Sequence, residues 1–146
     1  MHQRLLTKSR LYSMGISQED RCPICGTEEE TTQHLFFECV YSQQYLREVL
    51  QWMNIGIQNT EITGIWRRVT RLLKGRRCRE VATAILAALV YWIWKARNIV
   101  VWDFKLPTTT YIVRQIKQEC RMRKSTYLKS KTSIQEREWI EKIMQK

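Results

Sequence analysis

Histidine is scarce in this chain: His2 and His34 are the only two among 146 residues. Once one imidazole is committed, the other has no second to act with, which argues against a zinc or cysteine hydrolase needing an activated thiol and a partner base. Long hydrophobic runs are missing as well. The longest, Val81 to Trp94, spans fourteen residues with Thr83 as its one interruption, short of the ~20 that cross a bilayer. It predicts a buried core helix and no membrane partner. The opening Met-His-Gln-Arg-Leu-Leu-Thr-Lys lacks the apolar core of a secretion signal. No convincing strand run, internal repeat or low-complexity tract is present, so the expected class is mainly α. Acidic side chains are few, 14 against 25 Lys and Arg, for a formal charge of +11.

What is present is a ligand set in one short segment. Cys22-Pro-Ile-Cys25-Gly26 is followed by His34 and Cys39, a C-x2-C-x8-H-x4-C spacing able to close around one tetrahedral zinc. Two cysteines two residues apart can both point into a tight turn, which Pro23 stiffens and Gly26 frees just past the second sulfur. His34 and Cys39 are five apart, ~140° round an α-helix. They cannot share one face of a continuous helix, so a short helical turn at His34 and a break near Cys39 are expected. All four positions are filled by protein, which favours a closed structural site over an open catalytic one. Other uses of C-x2-C fit less well. No βαβ pattern surrounds it as in a redox pair, no H-x-E precedes it in deaminase order, and cysteines buried as small apolar residues would not need His34. Three cysteines on zinc leave Cys78 and Cys120 as an optional pair, consistent with a reducing, intracellular compartment, nuclear or cytoplasmic.

The charge is unevenly placed. Residues 1–40 sum to −2, 41–104 to +6 and 105–146 to +7. Within Glu19–Cys39 six acids face Arg21 alone, a sum of −5 that three thiolates around Zn2+ make −6. Such a knuckle repels phosphate, whereas the positive excess lies on predicted helices.

Those helices follow from apolar spacing. A short one is expected within Arg4–Ile16, stopping at Gly15. Tyr41–Met53 places Tyr45, Val49 and Trp52 on one stripe with Leu46, Leu50 and Met53 beside it, and ends in the turn-prone stretch Asn54–Asn59. Glu61–Lys74 sets Ile62, Ile65, Trp66, Val69, Leu72 and Leu73 against basic residues. Gly75 punctuates, and Arg76–Trp102 is the longest and most apolar helix, the hub of the rest, with Trp92, Trp94 and Trp102 expected in the core. After Pro107, Thr108 or Thr109 caps a helix through Ile112, Ile116, Cys120 and Tyr127. Ser133 and Glu136 have capping-box spacing before a last helix through Trp139, Ile140 and Ile143. The expected division is a zinc-knuckle module (CCHC) over 1–40 and a helical bundle over 41–146, together one continuous domain.

Several segments together, Leu6-Thr-Lys-Ser-Arg-Leu11, the zinc segment ending His34-Leu-Phe-Phe-Glu-Cys39, and Ile93-Trp-Lys-Ala-Arg-Asn98 with Val101-Trp102, resemble the reverse-transcriptase zinc-binding (zf-RVT) family of plant LINE-type non-LTR retrotransposons. The likeness runs over roughly residues 4–104. It implies zinc at Cys22, Cys25, His34 and Cys39, helices behind it, and a nucleic-acid-handling role beside a polymerase. Val40 stands where the family often has proline. No Tyr-x-Asp-Asp and no carboxylate set for two metals is present, so the resemblance implies a free-standing, non-catalytic part of the machinery.

Two functions from different classes follow. In the first, RNA or DNA is held by two basic sets: Arg67, Arg68, Arg71, Lys74, Arg76, Arg77 and Arg79, and then Arg114, Lys117, Arg121, Arg123 and Lys124 with Lys129 and Lys131 beyond. Lys74-Gly-Arg-Arg-Cys-Arg79 also has the make-up of a nuclear address. In the second, the zinc turn is a staple in a protein-interaction or scaffold module whose docking face is Glu28, Glu29, Glu30 and Glu38. Arg97 and Asn98 are expected as buried partners that fix their helix against its neighbours.

Overall fold

Most of the helices pack around one helix. The computed structural model describes residues 5–56 and 62–146. His2, Arg4, turn residues 57–59, Glu61 and the side chains of Ile62 and Trp66 lie outside the described residues. In chain order the elements are α1 (Lys8–Ser13), a π turn (His34–Glu38), α2 (Val40–Trp52), α3 (Ile62–Leu72), α4 (Arg76–Asp103), α5 (Thr109–Met122), the single turn α6 (Lys124–Tyr127) and α7 (Ile134–Gln145). The described residues contain no strand, only one isolated bridge between Arg21 and Glu29.

The 28 residues of α4 give a rod about 42 Å long at 1.5 Å per residue. It touches α2, α3, α5, α7 and the π turn, because Val81, Ala82, Ile85, Leu89, Trp92, Ile93 and Ala96 along it are buried. Length and composition alone would let α4 cross a bilayer. One face of α4 is covered by neighbouring helices, while Val90, Tyr91 and Trp102 stay exposed: Tyr45 and Val49 of α2, Ile65 and Val69 of α3, Ile112 and Ile116 of α5, and Ile140 and Ile143 of α7 are all buried in the same cluster. Side-chain hydrogen bonds set how those helices sit. Trp52 Nε1 donates to the Ile143 carbonyl at 2.7 Å, Trp92 Nε1 to Glu119 at 3.0 Å, and the Tyr45 hydroxyl to the Pro107 carbonyl at 3.1 Å.

Helix ends follow their local chemistry. Gly15 turns the chain at φ +71° after α1. Thr108 accepts from the Tyr111 amide at 3.2 Å at the start of α5, and the Ser133–Glu136 capping box opens α7. At the head of α4 the backbone of Gly75 has φ +100°, and a Cβ there would lie 2.5 Å from the Glu136 carboxylate. That carboxylate accepts from the Arg77 amide at 2.9 Å. One glutamate therefore serves the start of α7 and the start of α4, where its charge suits the helix dipole.

The structure corrects three details. Leu72 and Trp102 do not join the core; they are 54% and 76% exposed. The buried stripe of α3 runs through Ile65 and Val69 and continues to Leu73 just past its end, one residue on from Leu72, which in a helix is ~100° of rotation. Trp102 lies in the last turn of α4, beyond Ala96 and Arg97, where the buried face ends. The helix expected to continue through Tyr127 stops at Met122, since Arg123 at φ −94°, ψ 5° begins a separate turn. Tyr127 still packs against the core.

Candidate metal centre

The Cys22–Cys25 turn is a closed loop of backbone bonds. The Gly26 amide donates to the Cys22 carbonyl at 2.8 Å and the Cys22 amide to the Glu28 carbonyl at 2.7 Å, while the Glu30 amide donates to the Asp20 carbonyl at 2.7 Å. Gly26 carries the φ of +73° that this reversal needs. The other half of the site comes from the π turn. An α-helix would swing Cys39 away from His34, but the Cys39 amide donates to the His34 carbonyl, five residues back, at 2.7 Å. The wider turn stacks Cys39 over His34. The break then falls at Cys39 itself, with φ −58° and ψ 129°, and α2 starts at Val40. The Ser42 hydroxyl donates to the Leu35 carbonyl and ties turn to helix.

The outcome is four donor atoms, from Cys22, Cys25, His34 and Cys39, all within 4.8 Å of one another. Cys25 Sγ and His34 Nε2 are 3.4 Å apart. Zinc bonds of ~2.3 Å to sulfur and ~2.0 Å to nitrogen put tetrahedral ligands roughly 3.5 Å from each other, so the set fits a zinc ion and leaves no protein-free fourth corner. Cys22, His34 and Cys39 are buried, and only Cys25 is partly open. The surroundings favour thiolate. Bonding to Cys22 and polarisation by the Ser42 and Tyr41 amides lower Cys39 to about 5, although burial opposes them. The Cys22 thiol, bonded to Cys39 and buried, is pushed up, so the two sulfurs share a proton that a divalent cation would displace. Burial resists ionisation of Cys25, but the Glu28 amide, Thr27 and His34 outweigh it and its pKa is lowered.

Behind the ligands stands an ion pair that spacing alone does not show. Glu30 is fully buried. Arg97 of α4 grips it with Nε at 2.8 Å and Nη2 at 3.0 Å, and also donates to the Leu6 carbonyl at 3.3 Å and to Asn98 at 3.1 Å. The second Glu30 oxygen accepts from the Lys8 amide at the start of α1. Thus the metal loop, α1 and the hub are joined at one carboxylate. The expectation that Arg97 and Asn98 fix the helix is met for Arg97, whose partner lies 67 residues away and gave no local sign. The expectation that Glu30 belongs to an acidic docking face is overturned: it faces inward, and Glu28, Glu29 and Glu38 are the exposed acids.

The basic residues fall on several surfaces. Arg67, Arg71 and Lys74 are exposed and Arg68 is half-buried, with no ion pair to any of them among the described residues. Arg76 and Arg77 pair with Glu80 at 2.9 and 2.6 Å, and Arg79 donates to the Leu73 carbonyl at 3.3 Å. On α5, Arg114 lies 5.9 Å from the Tyr111 ring and Lys117 5.5 Å from that of Trp52. Arg121 donates to the Met144 carbonyl at 3.0 Å, near the end of α7. Arg123 is exposed and Lys124 half-buried. Cys78 and Cys120 are buried free thiols.

These features define a zinc-binding knuckle built onto a helical body. Residues 1–45 match the family model described as zinc-binding in reverse transcriptase, zf-RVT. That family is the zinc-binding part of such proteins and not the catalytic part. The match takes in all four ligands and ends inside α2, so the Ile93–Asn98 motif lies outside it. No curated protein and no solved structure matches the chain.

Proposed function

We propose that this is a non-catalytic, retrotransposon-derived module, of the LINE type, that binds RNA or DNA through basic helical faces while zinc plays a structural part. The observation that carries the reading is the exposed edge of α3 and the residues just after it, where Arg67, Arg71 and Lys74 stand without acidic partners among the described residues, on a molecule of charge +11. Arg123 and Lys124 supply a second positive stretch. Such a surface neutralises backbone phosphates and releases their counterions, with little preference for sequence. The same charge run suits a nuclear address. Exposed Glu28, Glu29 and Glu38 make the outer face of the knuckle acidic, a surface open to a protein partner.

A salt titration tests it. Affinity for a single- or double-stranded oligonucleotide should fall steadily in a plot of log K against log salt, by a slope of roughly 0.7–0.9 per phosphate neutralised. Arg67→Glu with Arg71→Glu should lose most binding yet keep the parent's circular-dichroism spectrum and zinc content. Affinity that is absent at low salt, or indifferent to salt, would refute the proposal and favour a scaffold.

A further inference from the structure

Next to the metal centre, a cleft of about 520 Å3 opens between α1 and the segment leading into the π turn. Its walls carry five hydroxyl groups, those of Thr7, Ser9, Ser13, Thr31 and Thr32, and the guanidinium of Arg10. No carboxylate lines it among the described residues. Arg10 Nη1 is buried and has no hydrogen-bond partner among the described residues. A buried charged donor left unpaired is costly and calls for an acceptor. Thr7 is only 4% exposed, yet its hydroxyl makes no cap bond to α1. Thr31 Oγ1 accepts from the His34 amide at 2.9 Å, which leaves its own hydrogen to donate. The unpaired cationic donor of Arg10 and the free hydrogen of the Thr31 hydroxyl thus belong to residues of a single opening, beside the Thr7 hydroxyl.

We propose that this cleft is an oxyanion subsite that takes one phosphate group, with Arg10 as its anchor. A phosphate offers acceptors only, and its geometry matches the guanidinium fork. The assignment does not rest on the basic faces of α3 and α5, since a free phosphate and a backbone phosphate present the same chemistry. Glu29, which accepts from the Ser9 hydroxyl at the rim, is the neighbouring acid that opposes the anion. Glu30, close by, is already neutralised by Arg97.

The test is a titration of the 15N-labelled full chain with inorganic phosphate, against chloride of equal ionic strength, following the Arg10 side chain and the Thr7 and Thr31 amides. Saturable shifts confined to these groups are expected, at least tenfold weaker in Arg10→Ala, weakened in Thr7→Val, and strengthened in Glu29→Gln. Arg67→Glu with Arg71→Glu should leave them unchanged, which separates this site from the oligonucleotide surface. Zinc content reports that each variant is folded; if Arg10→Ala is not, Thr7→Val and Glu29→Gln decide. A trinucleotide that reproduces the shifts identifies a backbone phosphate, and shifts from inorganic phosphate alone identify a free one. No saturable shift, or one unaffected by all three cleft variants, overturns the proposal.

Discussion

At the scale of single residues the buried Arg97–Glu30 pair carries the largest consequence. Glu30 is wholly enclosed and Arg97 nearly so. Taking both charges out of water costs about as much as their attraction returns, whereas removing one partner strands the other. Arg97→Met should therefore lower the unfolding free energy by about 3–5 kcal/mol, read from urea denaturation. Arg97→Met with Glu30→Leu should recover most of that loss; a double variant as weak as the single would show that the charges themselves are required. The zinc ligands act differently, because structural zinc contributes folding energy directly. Cys25→Ser or His34→Ala should lose the metal and unfold the N-terminal third, seen as missing zinc by elemental analysis together with lost near-ultraviolet ellipticity. A variant that kept the parent's spectrum and melting point would remove the staple role.

At the scale of elements, the helices were legible wherever one apolar stripe did the packing. The stripes of α2, α4 and α7 read out from spacing, as did the Thr108 cap and the Ser133–Glu136 box, since all of these are interactions within a few residues. The π turn was only half visible. A five-residue interval between His34 and Cys39 demands something other than an α-helix, but whether the chain breaks or widens depends on the metal donors it must bring together. The junction between α3 and α4 is a further case. Gly75 looked like punctuation; its φ of +100° and the Glu136 carboxylate 2.5 Å from any added Cβ make it a requirement. Gly75→Ala should destabilise the protein by roughly 1–3 kcal/mol, measured by chemical denaturation, and a neutral result would mean that Glu136 moves away at no cost.

For the molecule as a whole, protons and charge set the working range. Burial pushes Cys78 and Cys120 up to about 11 from an ordinary 9.0, and Tyr45 up to about 12 from 10.0. The folded core keeps these groups neutral while the unfolded chain would ionise them. Their stabilisation is thus complete below pH 9 and is lost as pH climbs through 11. Unfolding free energy should be flat in this respect to about pH 9 and decline from there. A curve level from pH 8 to 11 would show that these groups are not held neutral by the fold.

The sequence by itself determined what is local. Four ligands in one eighteen-residue segment, helical stripes, caps and the excess of positive charge all depend on neighbours along the chain, and the helical class and the zinc knuckle followed from them. Only the tertiary structure decided which apolar residues found cover, so that Trp102 stays in solvent while Trp92 is enclosed. It alone joined Glu30 to Arg97 and left Arg10 Nη1 without a hydrogen-bond partner among the described residues, because contacts between residues far apart in the chain depend on how α1, the metal loop and α4 meet, which no spacing records.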